Sequence, residues 1–206
     1  SGVGTARSGL AGAEYGLDKA IFGFGTSPRT AITNLVSNSG VVSADVTGVG
    51  TARDALAAAG YGTDKGIFGF GETPTDVSTT NLVSNTGVVG SDVTGVGTGR
   101  QYPAAAGYGV GLAIFGYGLA TYTAITNLVS NTGVVATDTA GVGTARNNLV
   151  ASRYGGDKAI FAYGLASGGA TAVSNLVSNS GVVATDTSGV GSPRGGAAAA
   201  GYSSSA

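Results

Sequence analysis

The sequence predicts an all-β protein made of four copies of one small antiparallel unit, and three observations point there. A block of about 46 residues recurs: GVGTAR at Gly2–Arg7 returns at Gly48–Arg53, as GVGTGR at Gly95–Arg100, as GVGTAR at Gly141–Arg146 and as GVGSPR at Gly189–Arg194. The second glycines, Gly4, Gly50, Gly97, Gly143 and Gly191, lie 46, 47, 46 and 48 residues apart. An Ile-Phe pair at Ile21, Ile67, Ile114 and Ile160, and an NLVSN segment from Asn34, Asn81, Asn127 and Asn175, keep the same register. A strict period of this length means stacked or radially arranged copies of one supersecondary unit, none of which can bury its apolar face alone.

The second copy, Gly48 to Gly95, justifies each element in turn. After Arg53 comes DALAAAGYG. Its alanines favour a helix locally, but nine residues ending in Gly-Tyr-Gly are short for one, and a Thr63-Asp64 turn pair leads into Lys65–Gly71, which alternates as a strand does. The segment therefore reads as a strand of small side chains. A variable loop, Glu72 to Ser78, precedes Thr79–Val83, and Ser84-Asn85-Thr86-Gly87 separates that strand from Val88-Val89. β-Branched residues on either side of an Asn-Thr-Gly centre make a hairpin, because Asn and Gly tolerate the positive φ of tight turns.

Four strands in two hairpins over about 46 residues is the size of one propeller blade. The expected fold class is thus an all-β β-propeller with four four-stranded blades, near 7–52, 53–99, 100–145 and 146–193, in a single repeat domain over 1–206. Residues 194–206 add a surplus C-terminal copy of the first strand and a tail, which either closes a ring beside Arg7–Tyr15 or leads into further blades. A first strand of alanine and glycine suits a crowded axis. Ile67, Phe68, Phe70, Leu82 and Val83 are the expected fill between blades, each contributing roughly 1.5–3 kcal/mol on full burial.

The order of an Arg, a first strand, a Gly-containing turn, an aromatic second strand ending in glycine, a variable loop, an Asn-bearing third strand and a fourth strand resembles kelch-type repeats. It covers the whole chain, with Gly23-Phe24-Gly25 and its equivalents replacing the usual Gly-Gly doublet and no fourth-strand tryptophan. The regular wording of DKAIFGFG, TNLVSNTGVV and GVGTAR is also similar to glycine-rich repeat proteins of bacteriophage tails and virions. These resemblances imply a propeller serving as a structural or adhesive part of a virion, tail fibre or other extracellular assembly.

Composition narrows the function classes. Cys, His, Met and Trp are absent, which removes disulfides, thiol nucleophiles, imidazole bases and Cys/His zinc sites; no cofactor, metal site or catalytic residue is expected. A radical oxidase of this fold needs such ligands, and a sialidase-like site needs converging arginines with a Tyr and a Glu, whereas only Glu14 and Glu72 exist. With 10 basic and 11 acidic side chains spread thinly, no basic stripe exists for nucleic acid. Charged residues make up 10% of the chain, against roughly 25% in ordinary soluble domains, which suits a part fixed among other subunits of a larger assembly. The uncharged stretch Gln101 to Thr137 is broken by Gly107, Gly109, Gly111, Gly116 and Gly118 and reads as a hairpin rather than a membrane span.

The repeated Arg7, Arg53, Arg100, Arg146 and Arg194 are expected to be structural, paired with Asp45, Asp92, Asp138 and Asp186, which also hold turns. Asn34, Asn81, Asn127 and Asn175 are expected to bond to the neighbouring blade. Asp18-Lys19, Asp64-Lys65 and Asp157-Lys158 mark a hairpin corner, where the third copy has Gly111-Leu112. The glycine-rich GVGTAR lacks the context of a phosphate loop. Copies differ mainly in the loop after the Ile-Phe strand, and there Arg29, Glu72, Asp76 and Tyr122 are the candidate ligand-binding side chains, for a cell-surface glycan or a neighbouring subunit. A free lectin-like sugar-binding propeller, or a designed consensus repeat protein, are the alternatives.

Overall fold

The computed structural model describes residues 3–201, and among them every regular element is a strand. In chain order these are β1 (Ala11–Tyr15), β2 (Lys19–Gly23), β3 (Thr33–Val36), β4 (Ala57–Tyr61), β5 (Lys65–Gly69), β6 (Thr80–Val83), β7 (Ala104–Tyr108), β8 (Leu112–Leu119), β9 (Tyr122–Val129), β10 (Val150–Tyr154), β11 (Lys158–Ala162), β12 (Leu165–Ala166), β13 (Gly169–Ala170) and β14 (Ser174–Val177). They form four three-stranded antiparallel sheets, β1-β2-β3, β4-β5-β6, β7-β8-β9 and β10-β11-β14, and β12 pairs with β13 in a short hairpin. One register recurs: Ala13 faces Ile21 and Ile21 faces Leu35, as Ala59 faces Ile67 and Ile67 faces Leu82. The alanine tracts are strands because every second residue packs inward: Ala57, Ala59 and Tyr61 are buried between their own sheet and the next. Gln101 to Thr137 contains β7 and the β8–β9 hairpin, and no helix among the described residues is long and apolar enough to cross a membrane.

Each unit's main sheet has three strands, not four. Val-Val meets the third strand only at isolated bridges, such as Val83 with Val89, and a second bridge joins Thr80 to Val93. Between the two, the Asn81 side chain donates to the Gly90 carbonyl at 3.1 Å, so a side chain takes a ladder acceptor and the register slips by one residue, as at a bulge. The same amide-to-carbonyl bond recurs from Asn34, Asn127 and Asn175. In the preceding turn the glycine takes the positive φ: +77° at Gly40 and +84° at Gly87.

Successive units pack through their first strands, β1 against β4, β4 against β7 and β7 against β10, while no comparable packing joins β1 to β10 among the described residues. The four first strands surround a cavity of about 710 Å³. The surplus first-strand copy is not a strand. Arg194 to Gly201 starts from Arg194 and Gly196 bonded to Gly164, Thr171 and Asn148, and then runs beside β10 into the cavity wall without ladder bonds. Pro193 and the Gly195-Gly196 pair favour this irregular course. The end of the tail, 202–206, lies outside the described residues.

The core lies in the joints between units. Phe68, Phe115 and Phe161 are fully buried, and each sets its ring edge-on or tilted, 5.1–5.2 Å between centroids, against the preceding unit's Phe24, Phe70 or Tyr117. Gly69 lets that ring approach: a Cβ there would lie 2.7 Å from the Phe115 ring tip. Gly69→Ala is therefore expected to destabilise the protein by about 1–3 kcal/mol, the usual cost of overpacking, read as a lower urea midpoint at constant m; an unchanged midpoint would contradict this packing.

Candidate functional site

Each joint between units is built around one arginine. At the end of the Ile-Phe strand an aromatic takes a left-handed backbone, with φ of 61–63° at Phe24, Phe70, Tyr117 and Tyr163, and the glycine after it has φ of 103–117°. Left-handed backbone costs an L-residue about 1–2 kcal/mol, offset here because Phe24, Phe70 and Tyr117 become fully buried. The following glycine is required, since a Cβ at Gly71 would sit 2.6 Å from the Asp54 carbonyl oxygen. This twist lays the ring flat beneath the next unit's guanidinium. Arg53 stacks over Phe24 at 4.2 Å, Arg100 over Phe70 at 4.0 Å, Arg146 over Tyr117 at 4.2 Å and Arg194 over Tyr163 at 4.4 Å.

Every edge of the buried Arg53 guanidinium has an acceptor. Its Nε donates to the Phe70 carbonyl at 2.9 Å, one terminal nitrogen to the Thr51 carbonyl at 3.2 Å and the other to Asn81 Oδ1 at 2.7 Å. Arg100 repeats the set with Tyr117, Thr98 and Asn127. Asn81 in turn donates to Asp92 Oδ1 at 2.9 Å, and Asp92 Oδ2 accepts from the Thr51 hydroxyl at 2.6 Å and backbone N–H at 3.0 Å. Burial pulls the Arg53 and Arg100 guanidinium groups down to about 10, opposed by Asp92 and Asp138, so both stay charged at neutral pH. Burial is also the largest influence on Asp92, pushing it up, but the bonds from Thr51 and Asn81 outweigh it and its carboxyl ends below the ordinary 3.8.

Three expectations change here. The aspartates do not hold local turns; Asp45, Asp92, Asp138 and Asp186 clasp a Thr 40 to 42 residues earlier and so tie the two ends of a unit together. The asparagines bond within their own unit, not to the neighbour. Among the described residues Arg7 and Arg53 reach Asp only at 3.8 Å and 4.0 Å, with Asn as the closer partner of each. The Asp-Lys pairs do sit at the first hairpin corner, as half-buried ion pairs of 2.7–2.8 Å.

The candidate loop residues divide. Arg29 Nε donates to Asp54 Oδ1 at 2.5 Å, a terminal nitrogen lies 2.9 Å from Glu72 Oε1, and the other donates to the Thr73 carbonyl. Arg29 and Glu72 thus form a clasp between the first two units, together with Asp54, which the sequence reading did not single out. Asp76 bridges to Glu72 through the backbone, and burial, with the Glu72 charge second, raises its pKa against a bond from Gln101. Tyr122 stands apart at the turn of the β8–β9 hairpin, 41% exposed. The cavity between the first strands adds a second polar locus, with Glu14, Lys65 and Arg153 in its wall among alanines, glycines and tyrosines. The buried arginines do not reach it. Arg153 is anchored there by the Gly109 and Gly156 carbonyls.

No protein-family model matches the chain, and no curated protein matches it.

The four clasping aspartates all lie below their ordinary 3.8 when folded. A depressed carboxyl contributes its stability in full above the unfolded value and loses it as pH falls through the folded one. The melting temperature is therefore expected to drop below about pH 4, and Asp138→Asn to lower it at pH 7 while flattening that acid limb; an acid limb equally steep in the variant would contradict the clasp.

Proposed function

We propose that the chain is a non-enzymatic, propeller-type module with kelch-like units, acting as a structural or adhesive part of a virion, tail fibre or other extracellular assembly. The observation that carries this reading is where the polar side chains go. The repeated Asn, Asp and Thr are bonded to one another inside every unit, and Arg to Asn inside the first three, leaving the loops after the second strands as the surface that changes from unit to unit. Function in a repeat protein resides where the copies differ, because stacking already accounts for the shared positions.

Of those loops, the β8–β9 hairpin extends furthest as regular structure and carries an exposed tyrosine, an apolar ring with a polar tip of the kind enriched at binding surfaces. Arg29 and Glu72 already serve each other, so Tyr122 becomes the contact residue for a cell-surface glycan or a neighbouring subunit. Low charge, 10% of residues, fits a part held among other subunits.

A glycan array tests this directly. The protein is expected to bind a subset of cell-surface glycans and to turn over none of them, and Tyr122→Ala to weaken binding about tenfold, an ordinary loss for an aromatic contact, with no change in melting temperature. Hydrolysis of a sialoside that Glu14→Gln abolishes, or array binding indifferent to Tyr122→Ala, would contradict the proposal.

A further inference from the structure

The three joints inside the chain join two different surfaces. The leading face of a unit, which meets the unit before it, presents the second-strand Phe and the glycine of the Asn-Thr-Gly or Asn-Ser-Gly turn. The trailing face receives the Phe ring against its aromatic and receives the turn glycine against a Leu and a Tyr: an added Cβ on Gly87 would lie 2.9 Å from Leu35 and 3.0 Å from Tyr15, and Gly133 meets Leu82 and Tyr61 in the same way.

Among the described residues, one leading face and part of one trailing face lie open. Phe22 is 42% exposed, whereas Phe68, Phe115 and Phe161 are at 0%, and Gly40 has nothing within 4 Å of its added Cβ. On the fourth unit, Leu176, the counterpart of Leu35 and Leu82, is 40% exposed. The two open surfaces are thus the two halves of a joint already made three times.

We propose that the leading face of the first unit seats on the trailing face of the fourth unit of a second copy, giving a head-to-tail joint of the internal kind. The choice of partner rests on the reading of the chain as an assembly part. Such a contact is heterologous, so it propagates into a ring or an open filament instead of stopping at a symmetric pair.

Two features weaken the seat. Arg194 to Gly201 lies over part of the trailing face, with Arg194 stacked on Tyr163, the place where the incoming Arg7 would stack. Ala162 stands where the other units have glycine, and at Gly23, Gly69 and Gly116 an added Cβ lies only 2.7–2.8 Å from the incoming ring. The segment is a displaceable cover, and the Ala162 methyl forces the Phe22 ring to tilt on entry.

Sedimentation velocity on the 206-residue chain tests the joint. The double variant Ala162→Gly with Arg194→Ser, which clears the seat and loosens the cover, is expected to self-associate about tenfold more tightly than the parent. Adding Phe22→Ser blocks the leading face, and adding Leu176→Asp blocks the trailing face; each triple variant is expected to be monomeric. Mixing the two is expected to give a one-to-one dimer and nothing larger, since each supplies the face the other lacks. Both positions are exposed, and a retained thermal transition confirms folding; a variant that lost it is replaced by Phe22→Asn or Leu176→Lys. A monomeric double variant, association that survives Phe22→Ser, or a mixture that stays monomeric overturns the proposal. Glycan binding is measured separately, so failure of this joint and failure of the adhesive reading are distinct results.

Discussion

A guanidinium wedged between two units holds this array together. Burying a charge in a joint is costly unless each polar edge is satisfied, and Arg53 and Arg100 meet that condition with two backbone carbonyls, an asparagine and an aromatic face. The stacking adds roughly 0.5–2 kcal/mol per pair, but its larger effect is geometric. The arginine is bonded to its own unit and stacked on the preceding one, so it fixes the distance and tilt between them. The other repeated features serve that joint: the left-handed aromatic that presents its ring, the glycine that permits the twist, the asparagine that accepts from the guanidinium, and the aspartate that orients the asparagine.

Departures at the ends follow from the same constraint. Among the described residues Arg7 stacks on no ring and its buried Nε lacks an acceptor, while in the fourth unit Arg146 turns to the Phe161 carbonyl and Asn175 Oδ1 has no partner. The central units, with a neighbour on both sides, are the ones whose network closes completely. Stability in such an array is a sum over units and nearest-neighbour joints, and here the joints hold most of the large buried side chains.

Much of the fold was readable from spacing. The 46-residue period, the alanine tracts as strands, the Ile-Phe strands and the Asn-containing turns each follow from local pattern, because strand alternation and turn chemistry act over a few residues. The fourth strand was over-read: Val88-Val89 has the right composition, but Asn81, some seven residues earlier, takes the Gly90 carbonyl and disrupts the ladder. The partners of the arginines were only half legible. Recurrence in one register marks Arg53, Phe24 and Asn81 as related, yet that the arginine stacks on the aromatic of the preceding unit while bonding to its own depends on a backbone twist at Phe24 that no local pattern announces. Arg29 and Glu72 looked free because their contacts span 25 to 44 residues; Tyr122, inside a hairpin visible in sequence, kept the exposure expected of it.

The most direct test of the wedge is the solvent exchange of arginine Nε–H protons by nuclear magnetic resonance. With Arg53, Arg100 and Arg146 each donating Nε–H to a carbonyl at 2.6–2.9 Å and buried, those three signals should exchange far more slowly than that of the exposed Arg194. Six or more arginine signals all exchanging at the rate of free arginine would contradict the account.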